Sequence, residues 1–358
     1  MREDAVLGLT ALCGDLPANL LSLLPGSVEW TKRIVSALVK DGLLKRHQKN
    51  NVSSLRLTKK GRELLSRVDP ERFSPIFTEA YLSRCRKSSP TGVERIHRMA
   101  EIFLLMLRVG VSVYPDEKPG LFSDNPTTGV VPVYPSFYSS IEIKSKGGEL
   151  TRIQATRAAG VLLAGPDDIY LVYHTGSAPL KWSSKAEQKM IGVIKGMLLG
   201  RGISVSEVKA IMIGADMGTA SLLMRSEGGA RRQYFRPDGT FSALHYIPSN
   251  QSGIPMLRLF CKPDTREAIA ARLRAGREAP FTPRYDCDAV EDGKAVLFAH
   301  EFDMERLRRY RNGLEMFGEG GILYCLDFQA ECLRERFAGL AEVRPIDSQT
   351  IWKELNSL

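Results

Sequence analysis

Between residues 17 and 66 the apolar and polar positions follow three different rhythms. A short apolar run over 17–24 stops at Pro25-Gly26 and predicts one brief helix. Ser27 is a good N-cap and Asp41-Gly42 a good stop, so a second helix is predicted between them. Trp30, Ile34 and Leu38 recur at i, i+4 and i+8, which gives that helix one inward face. Thr31, Lys32, Arg33, Ser36 and Lys40 are then left to project outward. The runs LLKRHQ and SLRLT follow with strand-like texture, joined by a polar tip that carries Lys49, Asn50 and Asn51. They predict a hairpin with a basic end, followed by a helix that opens at KKGRELL.

Residues 69–110 return to helical spacing. PERFSPIFTEAYLSR is amphipathic, Ser88-Ser89-Pro90 breaks it, and a long helix over 91–108 places Ile96, Ala100, Phe103 and Leu104 on one face. Residues 114–135 hold five prolines and predict a long loop. Beyond it PSFYSSIEIKS reads as a strand, ELTRIQATRAAGVLL as a helix and DIYLVYHTG as a strand. A helix over 186–200, the strand VKAIMIGA and the helix MGTASLLMRS come next. Nearer the C-terminus KAVLFAHEFD predicts a strand, MERLRRYRNGLEMFG a basic helix, GILYCLDF a strand and QAECLRERFAG a helix. VRPIDSQTIWKEL supplies a last strand and helix. Apolar strands alternating with helices imply mixed α/β layers, and the two halves look like a loose internal duplication. The expected division is 1–68, a helical connector over 69–112, and α/β units over 113–260 and 261–358.

Charge sharpens this division. The 358 residues carry 50 Lys and Arg against 41 Asp and Glu, but residues 1–98 hold 18 of the basic and 10 of the acidic ones. A net +8 therefore sits in the first quarter and +1 in the rest, the asymmetry expected of a phosphate-binding face. No apolar run is long enough to span a membrane, and no basic-then-apolar leader opens the chain. Six scattered cysteines form no CxxC or Cys/His cluster with zinc spacing. A cytoplasmic protein with reduced thiols is expected.

The order helix, helix, two-stranded wing, helix lets one helix enter a major groove while the wing rests on the flanking backbone. With the runs Asp41-Gly42-Leu43-Leu44 and Leu55-Arg56-Leu57-Thr58-Lys59-Lys60-Gly61, the segment resembles the winged helix-turn-helix family. The resemblance implies binding of double-stranded DNA. Thr31, Lys32, Arg33, Ser36 and Lys40 would serve the groove, and Lys45, Arg46, Lys49, Asn50 and Asn51 the wing. A dimerisation or protein-contact role for the same fold stays open.

Candidate catalytic chemistry lies at Glu142-x-Lys144. On a strand the two side chains would share a face, the carboxylate to hold a divalent metal and the lysine to activate water. With Gln154 on the next helix, this resembles the PD-(D/E)xK nuclease superfamily. Its aspartate is missing from the preceding strand, and only Asp124 and Asp116 lie upstream. The last unit offers Asp286, Asp288, Glu301 and Asp303, with Asp303 where a lysine belongs. Winged helix plus two incomplete nuclease-like units resembles the replication-relaxation family of plasmids and integrative conjugative elements. That resemblance implies a DNA-binding accessory or initiation protein for mobilisation or replication, partnered by a relaxase or replication protein and with a homodimer left open. The alternatives are a Mg²⁺- or Mn²⁺-dependent endonuclease using Glu142 and Lys144, and a transcriptional repressor with a ligand-sensing α/β domain. No cofactor is expected outside the nuclease reading. Gly214-Ala215-Asp216-Met217-Gly218 lacks a nucleotide-binding glycine framework.

Overall fold

A computed structural model of the chain describes residues 3–24, 26–49, 52–85, 89–122, 129–144, 156–226, 234–280 and 286–357. The chain is a mixed α/β protein with three sheets, divided into two compact units. One unit holds residues 1–120 and 131–137, the other residues 121–130 and 138–358.

The first unit opens with α1 (Glu3–Cys13), the short strand β1 (Leu16–Pro17) and a 3-10 turn over Ala18–Leu23. Helix α2 (Val28–Lys40) leads into the hairpin β2 (Leu44–Lys49) and β3 (Val52–Leu57). The sheet order is β1-β3-β2, all antiparallel. Leu44, Leu55 and Leu57 lie on its inner face and are buried. Helix α3 (Lys59–Val68) follows, capped by Thr58, whose hydroxyl accepts from Gly61 N at 3.1 Å and donates to Gly42 O at 2.6 Å. A Cβ on Gly61 would stand 2.3 Å from Leu43 O, so only glycine fits there. Gly42, at φ +72°, closes α2 in the left-handed region. These contacts are the physical content of the sequence run from Asp41 to Gly61.

Helices α4 (Pro70–Phe73), α5 (Glu79–Cys85) and α6 (Pro90–Arg108) complete this unit. Helix α6 packs against α1 and is buried almost all round from Ala100 to Met106. Asp15, fully buried after α1, accepts from Arg56 of β3 at 3.0 and 2.5 Å and lies 3.7 Å from His97 Nε2 of α6. Burial alone would raise its pKa, but the neighbouring His97, Arg56 and Ser54 outweigh it and hold the value at about 2.

The second unit contains two mixed sheets built by the same succession of elements. In the first, β4 (Ser136–Ser139), which the division crosses between Phe137 and Tyr138, precedes a short helix α7 (Ser140–Lys144). An antiparallel pair, β5 (Gly160–Leu163) and β6 (Ile169–Gly176), comes next. Then α8 (Ser184–Leu199), parallel β7 (Lys209–Gly214), α9 (Met217–Arg225) and parallel β8 (Leu244–Pro248) complete the order β4-β5-β6-β7-β8. After α10 (Gly253–Phe260) and α11 (Pro263–Arg274) the pattern recurs. Strands β9 (Ala289–Glu291) and β10 (Lys294–Phe298) form an antiparallel hairpin. Asp292 and Gly293 turn it, both at positive φ, as a tight two-residue hairpin demands. Helix α12 (Met304–Phe317), β11 (Gly321–Leu326), α13 (Ala330–Arg336) and β12 (Ala341–Ile346) follow, with β10, β11 and β12 parallel. Helix α14 (Ser348–Ser357) ends the described chain. Strands β6 and β7 are buried on both faces, which explains their unbroken apolar text.

Several expectations need correction. Residues 160–163 form β5 and residues 156–159 are not helical, so the predicted helix over ELTRIQATRAAGVLL fails in its described part. Its last four residues are buried on both faces, where an apolar run pairs as a strand. The predicted strand over residues 294–303 ends at Phe298 and turns through 299–303. Among the described residues, no helix is long and apolar enough to cross a membrane.

Candidate nucleic-acid interface

Helix α2 buries Thr31, Ile34, Val35 and Leu38, a stripe displaced by one residue from the predicted one. Trp30, expected inside, is 44% exposed, while Thr31, expected outside, is 1% exposed. The Thr31 hydroxyl donates to Ser27 O at 3.1 Å, closing the first turn, so Thr31 is removed from the outward face. Ser27 is the N-cap residue but makes no side-chain capping bond.

The remaining α2 positions, Lys32, Arg33, Ser36 and Lys40, are exposed. Lys32 is held by Glu29 at 2.7 Å in an exposed ion pair of the kind that contributes little. Arg33 and Lys40 form no ion pair with another described residue. On the hairpin, Lys45 and Arg46 of β2 are exposed and equally without an ion pair among the described residues. Lys49 ends β2, whereas Asn50 and Asn51 lie outside the described residues. The exposed side of α2 and the outer strand of the hairpin thus carry at least four cations with no carboxylate partner among the described residues.

The catalytic candidates are arranged otherwise. Glu142 and Lys144 lie on α7, so the strand period that was to put them on one face does not apply. Glu142 accepts from Ser139 N at 2.8 Å, and Glu142 N donates to Ser139 Oγ at 3.4 Å. This is a reciprocal capping box, written in the sequence as Ser-x-x-Glu. Gln154 and Asp124 lie outside the described residues. Asp116 accepts from Arg72 at 2.7 Å in the first unit, far from any such role.

Asp288, Glu301 and Asp303 do come together, lining a cleft of about 220 Å³ with Arg266, His300 and Arg306. Asp286 is not part of that lining and pairs with Arg309 at 2.5 Å. Asp288 accepts from Phe298 N at 2.8 Å and from Arg306 at 3.1 Å. Asp303 caps α12, accepting from Glu305 N at 3.0 Å and Arg306 N at 3.3 Å, and also from Leu244 N of β8 at 3.1 Å. Through these bonds Asp303 ties β8 to the start of α12. Glu301 stands 3.6 Å from Arg266 and 3.9 Å from His245. Burial opposes its charge, but His245, His300, Arg266 and Arg306 together hold its pKa below the usual carboxylate range. His300 is 4% exposed, and burial lowers its imidazole pKa. Phe302, between Glu301 and Asp303, sits at φ +48°, a strained conformation held by Tyr246 N donating to Phe302 O at 3.0 Å. Among the described residues, no three His, Cys, Asp or Glu side chains converge as a metal-binding group.

Sequence reasoning missed Asp168. It accepts from Arg266 at 3.0 Å, Lys209 at 2.9 Å and Tyr170 at 3.0 Å, and so joins β6, β7 and α11. Burial would raise its pKa, but Lys209 and Arg266 outweigh that and lower it. Comparison with family models, curated proteins and solved structures finds no match to this chain.

Proposed function

We propose that this chain is a double-stranded DNA-binding protein, with α2 as the groove-reading helix and the β2–β3 hairpin as the wing of a winged helix-turn-helix. The observation that carries the reading is the set of exposed cations Arg33, Lys40, Lys45 and Arg46 on that helix and strand, none of which has an ion-pair partner among the described residues. Cations left without counter-ions attract a polyanion, and release of condensed ions drives the binding. The two sheets of the second unit serve as nuclease-like assembly surfaces, and an accessory or initiation role in mobile-element DNA processing rests on the replication-relaxation resemblance. The endonuclease reading lacks equivalent support, because the Glu142 carboxylate caps α7.

The test is fluorescence anisotropy on a labelled duplex of about three helical turns, between roughly 50 and 200 mM salt. Wild-type affinity falls steeply with salt, and Lys32→Ala with Arg33→Ala reduces the slope by about 0.9 per phosphate contact removed. An unchanged slope in that double variant, or no binding at low salt, overturns the proposal.

A further inference from the structure

Trp30 is the inward residue that the fold leaves outside. The chain has three tryptophans, and the other two, Trp182 and Trp352, are 5% and 8% exposed. Trp30 lies in the first turn of α2 with Val28, itself 39% exposed. It stands three residues before Arg33, so the indole and the unpaired guanidinium are neighbours on one side of the helix. No ring contact or cation–π contact to Trp30 occurs among the described residues. A large aromatic ring is thus left 44% exposed one turn from Arg33, with no aromatic or cation–π partner among the described residues.

We infer that Trp30 is a base-reading residue, packing against thymine 5-methyl groups in the major groove. This rests on the DNA-binding reading and adds a sequence preference to it. Two features fix the occupant. Arg33 one turn from the indole, with Lys40 on the same helix and Lys45 and Arg46 on the hairpin, favours a polyanion, and the thymine methyl is the apolar group that a duplex displays on its major-groove edge. Phosphate contacts from the cations bring any duplex to this face, and the indole then favours one that places a methyl beneath it. Burying one methyl contributes about fourfold in affinity.

The experiment compares a thymine-rich duplex with the same duplex carrying deoxyuridine for thymine, which deletes the methyl alone. Anisotropy of a labelled strand reports binding, and tryptophan emission, corrected with Trp30→Phe, reports the environment of residue 30. The expected result is an emission change on binding and an affinity for the thymine duplex higher by about fourfold per methyl contacted. Trp30→Ala erases that preference without changing the salt slope, and its far-UV circular dichroism matches wild type. Three results overturn the inference: rising anisotropy with unchanged Trp30 emission, a thymine preference that survives in Trp30→Ala, or an emission change that follows protein concentration without DNA. The last would assign the face to a second copy of the chain. Absence of any anisotropy change is a separate outcome, which overturns the DNA-binding reading itself and this inference with it.

Discussion

Two basic helices of nearly equal length, α2 and α12, use their charges in opposite ways. In α12, Arg306, Arg308, Arg309 and Arg311 are each paired, with Asp288 at 3.1 Å, Glu305 at 2.9 Å, Asp286 at 2.5 Å and Glu315 at 2.6 Å. In α2, Lys32 meets only exposed Glu29, and Arg33 and Lys40 meet no carboxylate among the described residues. Read as text, both are basic helices; read as structure, one is internally neutralised and the other is not. A guanidinium already bonded to a carboxylate must lose that bond to take a phosphate, whereas an unpaired one releases only water and counter-ions. The difference supports the proposed DNA-binding reading of α2 and leaves the arginines of α12 to internal cohesion.

An internally paired arginine of the second unit, Arg266, tests the cohesive half of that contrast. Arg266 reaches Asp168 at 3.0 Å and Glu301 at 3.6 Å, with both partners largely sheltered from solvent. Removing it leaves Asp168 to Lys209 and Tyr170 and Glu301 to His245, so Arg266→Ala should destabilise the chain by about 2–3 kcal/mol, the loss of charged hydrogen bonds, read as a lower midpoint in urea unfolding. At temperatures where the variant is folded, its DNA affinity should equal wild type. A loss of DNA binding by folded protein would break the comparison.

The converse variants come next in size. Lys45→Ala with Arg46→Ala should weaken duplex binding by about tenfold and lower the salt slope by roughly 0.9 per lost contact. Arg309→Ala with Arg311→Ala should leave the slope unchanged. Equal losses from both pairs in anisotropy titrations would mean that total charge, and not its pairing, governs binding.

A third test uses pH, and concerns the acids that neutralise internal cations. The folded pKa of Asp15 lies at about 2, below its ordinary 3.8, and that of Asp168 is also lowered. A depressed carboxylate gives stability that is full above the unfolded pKa and disappears as pH falls toward the folded one. Stability should therefore decline below about pH 4 and reach its acid limit near the folded value for Asp15. Asp15→Asn should flatten that part of the profile in denaturant melts at graded pH. An equally steep decline in the variant would remove Asp15 from the account.

How much of this was legible differs by residue. The ends of α2 and the hairpin were readable because Ser27, Gly42 and the strand texture are local signals. The inward stripe was not, because the sets 30/34/38 and 31/34/35/38 share two positions and hydrophobicity favours Trp30 over Thr31. Strand β5 was lost because its alanine-rich approach mimics a helix, and only burial on both faces distinguishes it. The Asp292-Gly293 hairpin turn was present in the text but was not recognised there as a separate strand pair. The Asp168 hub has no local signal at all, since Lys209 and Arg266 join it from 41 and 98 residues away.

The smallest expected effect separates capping from catalysis at Glu142. A Glu-x-Lys pair has nuclease meaning only if both side chains share a strand face, and here the strand ends at Ser139. Glu142 and Ser139 instead satisfy each other's backbone amides at the start of α7. Glu142→Ala should then cost about 1 kcal/mol of stability, the usual loss for a helix cap, and Glu142→Gln should recover much of it because an amide oxygen still accepts from Ser139 N. Both variants should bind duplex DNA as wild type does. A metal-ligating carboxylate would behave differently: glutamine would be as damaging as alanine, and the loss would appear in Mg²⁺- or Mn²⁺-dependent cleavage instead of in unfolding. Cleavage by wild type that both substitutions abolish would return Glu142 to the nuclease reading. Rescue of stability by glutamine alone keeps it as the residue that turns β4 into α7.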